Sequence, residues 1–243
     1  MFVTSLVTER ILFYDFYKRS FRLFAKNEEV FSESESGEKN SNGYVLPVDF
    51  AAGASHVASD GNDVLYAAPE IFNPRYQEGS IKRLNWQTGY ASLALNGDSF
   101  VALSDPPPPA GAAFDPGVMR FDAGSSTLAF SNRGERGGGD GTGKDTLYYW
   151  KYKGDTLKRM YAAEAGCVIV DIAMERSATD VLETLVLTRC GPTTPEYGVK
   201  KVSVTVADDG FGEPYVFPEE EFAWASAVDG AARSVEWISK EVS

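Results

Sequence analysis

The chain holds one histidine, two cysteines and four methionines in 243 residues, and each scarcity closes a route. Any Ser-His-Asp or Cys-His nucleophile would have to use His56, and no Gly-x-Ser-x-Gly elbow is present to carry the serine. A zinc site of the usual His and Cys type lacks its ligands. No metal, cofactor or catalytic residue is therefore expected, and the chain reads as non-enzymatic. No apolar run approaches the ~18 residues of a spanning helix, which argues against membrane insertion. The stretch from Met1 to Val7 has neither a basic start nor a small-residue cleavage site. There is no Asn-x-Ser/Thr acceptor either, so an intracellular soluble protein is the expectation.

Basic residues are also outnumbered. Lys and Arg total 23 against 35 Asp and Glu, a net charge of −12 with a pI near 4.6. Affinity for phosphate backbones comes from clustered cations that displace counterions, so nucleic acid is not an expected partner.

What the chain does have is aromatic and patterned. Phe and Tyr number 15 and 12, residues that pleated surfaces favour. An acidic or Asp-Gly turn followed by a short apolar strand occurs four times: Asp60-Gly61 before Val64-Leu65-Tyr66, Asp122-Ala123-Gly124 before Thr127 to Phe130, Asp180 before Leu185-Val186-Leu187, and Asp229-Gly230 before Val235 to Ile238. Intervals of roughly 50 to 60 residues belong to a repeat architecture.

The pattern resolves into four first hairpins (54 to 68, 118 to 130, 167 to 190, 222 to 239) and four second hairpins (10 to 24, 80 to 95, 146 to 160, 199 to 217). Residues 222 to 239 supply only the first two strands of a unit, and residues 10 to 24 only the last two. The reading is a single all-β domain over 1–243: a β-propeller of four four-stranded blades, closed by pairing of the N-terminal and C-terminal strands. A β-sandwich, or a half-ring of an eight-bladed homodimer, are the alternatives. Residues 26–43, rich in Glu, Ser, Gly and Asn, read as a solvated loop of disorder-prone composition.

Val118-Met119-Arg120-Phe121-Asp122 with Ser126-Thr127-Leu128-Ala129-Phe130-Ser131-Asn132-Arg133 resembles the TolB-type and prolyl-oligopeptidase-like propeller repeat, and Phe222 to Ser239 is similar. The resemblance covers about half the chain and implies a propeller, with blades of the kind found in periplasmic binding proteins and in the propellers that gate prolyl-oligopeptidase-like enzymes. The peptidase activity of some relatives does not transfer, because the chain lacks the hydrolase half.

In a ring of blades the first strand of each faces the channel. The polar or large residues on those strands, His56, Arg120, Asp171 and Trp224, are the candidate ligand-binding residues. Asp171 stands among Val168, Ile169, Val170 and Ile172, where an unpaired carboxylate would cost several kcal/mol. A pair between Arg120 and Asp171 across neighbouring blades is the structural expectation.

Three further features read mainly as loops or staples. Gly138 to Lys144 has phosphate-loop spacing, but Asp145 stands where Ser or Thr would bind Mg²⁺, and strand-like residues follow. Asp105-Pro106-Pro107-Pro108-Pro109 is a stiff polyproline spacer without a flanking cation. Cys167 and Cys190 should face each other across one hairpin, and without an export signal two reduced thiols are expected. A non-catalytic protein-binding, accessory or scaffold subunit is the functional expectation. A carbohydrate-binding or glycoside-cleaving propeller with a site at the channel mouth is the alternative.

Overall fold

The computed structural model describes residues 2–5, 10–15, 17–26, 56–61, 63–68, 79–85, 91–109, 112–133, 144–152, 154–178, 180–191 and 196–218. The expected loop beyond Lys26, most of the glycine-rich stretch, Trp224 and the hairpin at 222 to 239 lie outside the described residues. Strands dominate, and the chain divides into two compact units: Met1–Phe100 with Ala113–Met119, and Val101–Ala112 with Arg120–Ser243.

The first unit holds two antiparallel meanders. One is β1 (Phe2–Ser5), β2 (Arg10–Asp15) and β3 (Ser20–Lys26), in that order. The other is β4 (His56–Ser59), β5 (Asp63–Ala68), β6 (Ser80–Asn85) and β7 (Ala91–Leu95). Both hairpins expected within 54 to 95 form, with Ser59↔Val64 and Leu84↔Ala91 fixing register. The turn after β4 is built by its acid: Asp60 Oδ1 accepts the Asp63 backbone N–H at 2.6 Å, an Asx-type closure.

β1 is a correction to the reading of the N-terminus. Residues 10 to 24 were expected to lack earlier strands and to take two from the tail. Instead β1 pairs antiparallel with β2, Phe2 opposite Phe13, so the β2 edge intended for the tail is occupied. β1 also lies beside β4, first strand against first strand.

After β7 comes α1 (Gly97–Leu103), which strand patterning had passed over. Asn96 caps it through Oδ1, accepting the Ser99 N–H at 2.9 Å. Phe100 is fully buried and stacks on Phe114 at 4.8 Å between centroids. Gly79 lets the chain pass this layer: a Cβ there would lie 2.1 Å from the Phe114 carbonyl oxygen.

The second unit holds the two best-formed sheets. β9 (Pro116–Asp122, which begins in the first unit), β10 (Thr127–Asn132), β11 (Thr146–Lys151) and β12 (Leu157–Ala162) make one meander. β8 (Ser104–Asp105) adds a parallel fifth strand on β12, where four were expected. β13 (Cys167–Ala178), β14 (Val181–Cys190), β15 (Glu196–Thr205) and β16 (Tyr215–Val216) make the other.

Both sheets are buried through their middles on both faces. All six residues of β10, the first five of β11 and the run from Thr184 to Thr188 in β14 are buried. A strand with one wet face would show every second residue exposed. Sheet packs on sheet through Tyr149 of β11, whose hydroxyl hydrogen-bonds the Thr184 hydroxyl of β14, and through Phe211, edge-on to Tyr149 at 5.7 Å. On the other face of β13–β15, Ala173, Leu185, Leu187 and Val199 form an apolar cluster with Val170 and Tyr197.

Cys167 stands opposite Cys190 at the open end of the β13–β14 hairpin, as its expected midpoint required, although two bulges on β13 move the turn by a residue. Their oxidation state corrects the expectation: the sulfurs are bonded. Register brings the two Cβ atoms within bonding reach, a geometry the expectation of reduced thiols did not weigh. Closing this loop restricts the unfolded chain by about 3 kcal/mol. Alkylation of the denatured, unreduced protein should label neither cysteine, and a Cys167→Ser/Cys190→Ser variant should unfold at lower urea by about that amount. Quantitative labelling without reductant would show the bond is not made.

Candidate functional site

Among the nominated residues, the structure brings Arg120 and Asp171 together. Arg120 is on β9 and Asp171 on β13, strands that open their respective meanders and share no backbone ladder. Arg120 Nη2 donates to Asp171 Oδ1 at 2.8 Å. The guanidinium side chain is 45 % exposed and the carboxylate side chain only 8 %, so the cation is the partner reachable from solvent. His56 opens β4 opposite Ala67, in the other unit.

A second pair, which sequence reasoning did not nominate, runs the opposite way between the same two strands. Arg176 of β13 donates from Nη2 to Asp122 Oδ2 of β9 at 3.2 Å. The cation of one pair and the anion of the other thus sit on each strand. Arg176 is five residues from Asp171, an odd offset that strand alternation assigns to the other face. Only the observed packing of β13 against the β9–β10 turn reveals the contact.

Asp122 is doubly used. Its Oδ2 also accepts the Ser125 N–H at 2.7 Å, and the Ser125 hydroxyl passes a hydrogen bond on to Thr127 at 2.8 Å. This repeats the Asp60 turn, acid at one position and backbone donor three later, so the sequence repeat is a repeat of turn chemistry. Gly124 leaves room for Arg176: an added Cβ would sit 3.1 Å from the guanidinium carbon. The Arg176 Nε is buried with no hydrogen-bond partner among the described residues. Lys151 joins the cluster by donating to the Ser125 carbonyl at 3.1 Å. Burial pulls its amine below the ordinary lysine range, Asp208 opposes this, and Arg176 adds to it.

At the other end of the interface Asp145, fully buried, accepts the Ile169 N–H at 2.8 Å and so fixes β13 beside its first bulge. In the sequence Asp145 stands out as the residue that spoils a phosphate loop, not as a tie between sheets. Lys158 reaches Glu213 at 2.6 Å and Thr156 reaches the Asp209 carbonyl at 2.9 Å, tying β12 to the loop after β15. Chemically, these groups bind one another across a sheet interface. Among the described residues no cluster of three or more His, Cys, Asp or Glu could hold a metal, and no helix is long and apolar enough to cross a membrane.

Arg120→Ala should destabilise the fold by about 1–3 kcal/mol, because it leaves the buried Asp171 carboxylate without its guanidinium. A cycle with Asp171→Ala should give a coupling of about 1–2 kcal/mol in urea unfolding, and strict additivity would mean the pair contributes nothing. Alkali probes burial within the β8–β12 sheet. Burial pushes the Tyr149 hydroxyl well above the ordinary phenol range, and burial, helped by Glu164, pushes Tyr161 up to about 12. Both pKa values are raised in the folded state, so their contribution is present below the unfolded value of about 10 and lost as pH rises. The urea midpoint should therefore fall steadily between about pH 10 and 12, and a flat profile would contradict the burial of Tyr149 and the partial burial of Tyr161.

No protein-family model matches the chain, and no curated protein matches it. Among solved structures it is similar to TolB from Acinetobacter baumannii, with 11% identity and a TM-score of 0.44, over 82% of this chain and 37% of that one. It is also similar to a variant of the AtxE2 isopeptidase with Astexin3-dC4 bound, with 10% identity and a TM-score of 0.34, over 84% of this chain and 24% of that one. The chain thus spans well under half the length of either structure.

Proposed function

We propose that this chain is a non-catalytic propeller-type scaffold that binds another protein through loops on one face of a ring. The observation that carries the proposal is the reciprocal pairing of Arg120 with Asp171 and Asp122 with Arg176. Asp171 and Asp122 each face an arginine, where glycoside cleavage would require two carboxyls flanking a sugar. Charges arranged to grip a neighbouring sheet support a structural role for the strands and leave recognition to the loops.

The blade reading draws on burial. Two-layer sandwiches leave one face of each sheet wet, whereas β10, β11 and β14 are covered on both. Stacked sheets of a radial array have this property. The meeting of β1 with β4 and of β9 with β13, first strand to first strand, is the neighbour relation that convergence on a channel requires. In this reading the ring is closed by pairing of the N-terminal and C-terminal strands.

Cross-linking of the native extract followed by size-exclusion chromatography with light scattering tests both parts. The expected result is intramolecular links between residues 1–26 and 222–239, and elution of the chain bound to a different polypeptide. A lone monomer without a partner would sink the binding reading. A homodimer carrying those links between copies would replace the closed ring by a half-ring.

A further inference from the structure

The polyproline run is the sequence feature that the scaffold reading leaves unused. It leaves the edge of a folded sheet: Ser104 is buried and pairs with Leu157, Asp105 pairs with Lys158, and the ladder stops there because proline has no N–H to donate. Asp105, Pro106, Pro107 and Pro109 are exposed and Pro108 is half-exposed. The peptide bonds joining Pro106 through Pro109 are trans, and the bond from Asp105 to Pro106 is cis. The Pro109 carbonyl accepts the Ala112 N–H at 3.0 Å, closing the far end in a turn. The run is thus held at both ends with its rings toward water.

Four consecutive prolines are confined near the polyproline II conformation and lose little entropy when bound. What such a segment offers a partner is ring faces and carbonyl oxygens. The complement is a groove lined with aromatic side chains that also carry N–H or O–H donors. Charge then separates one class of groove from another. Between Arg83 and Arg120 the sequence contains no Lys or Arg, while Asp98, Asp105 and Asp115 fall within that interval. The cation opposite Asp105 on the ladder, Lys158, is engaged by Glu213 at 2.6 Å. A groove with an acidic rim would meet Asp105 with repulsion, and a basic rim would meet it with attraction.

We infer that Asp105–Pro109 is a docking segment for a partner protein bearing an aromatic, polyproline-reading groove with a basic rim. The inference rests on the protein-binding reading and names one partner chemistry within it. It fails separately, because the experiment uses purified components and is indifferent to ring closure.

The intact chain is titrated by fluorescence anisotropy against purified SH3, WW and EVH1 domains, sorted into basic-rimmed and acidic-rimmed groups, each validated on a free proline-rich peptide. Basic-rimmed domains should saturate, and acidic-rimmed ones should bind at least about tenfold more weakly. Asp105→Lys should reverse that order. Pro107→Ala/Pro108→Ala should abolish saturation while lowering the urea midpoint only by the small cost of a freer unfolded chain, since both rings lie outside the core. If no domain saturates with the intact chain, or if the double-alanine variant binds as well as the parent, the inference is wrong. Equal affinity for both groups, unaltered by Asp105→Lys, would also overturn it, and a misfolded double variant leaves the exposed Asp105→Lys substitution to decide.

Discussion

Two-sided burial of the central strands is the constraint from which most of the better-formed unit follows. A strand wet on one side can place polar groups there at will. β10, β11 and the middle of β14 have no such side, so every polar atom they carry must find a partner within the protein or be left without one. Tyr149 and Thr184 solve this mutually across the interface. Asp145 solves it with a backbone donor of the neighbouring sheet. Among the described residues the buried Ser131 and Thr146 hydroxyls find no hydrogen-bond partner. Each such orphan costs on the order of 1–3 kcal/mol, which apolar burial over the same strands has to offset.

The charged groups obey a related rule at the edge of the interface. Buried ion pairs often add little net stability over apolar replacements, because desolvation cancels the attraction. Their pairing is nonetheless exacting, since a slip of β13 by one residue would separate both arginine pairs at once. We regard the reciprocal arrangement as fixing alignment between sheets that share no hydrogen-bonded ladder. The three-residue Asp turn then fixes where each hairpin reverses, and the disulfide fixes where the β13–β14 hairpin opens.

Legibility in the sequence followed the range of the interaction. Turn chemistry is local, so the Asp60 and Asp122 closures and the hairpins they join could be read directly. The Cys167 and Cys190 register followed from hairpin symmetry, and the Arg120 to Asp171 pair from the high cost of a lone carboxylate among Val and Ile. Features that depend on a distant partner were missed. β1 is four residues whose strand character comes from pairing with β2, and β8 is two residues recruited by β12. Arg176 carries no local mark, because its partner lies at the far end of another hairpin. α1 was overlooked because its signal is one asparagine cap and one buried phenylalanine, not a periodic stripe.

The same distinction bears on where recognition belongs. Residues held by reciprocal charges and two-sided burial cannot move to meet a partner without breaking the contacts that align the sheets. The proline run is different: its rigidity is covalent and costs the fold nothing, and its anchors, a parallel bridge at one end and a turn at the other, leave its rings in water. A rigid segment on the rim of a rigid sheet presents a fixed surface with little ordering entropy left to lose on binding. That proposed division of labour, alignment by paired charges inside and presentation by prolines outside, is why the scaffold reading draws its recognition elements from the loops and not from the strands.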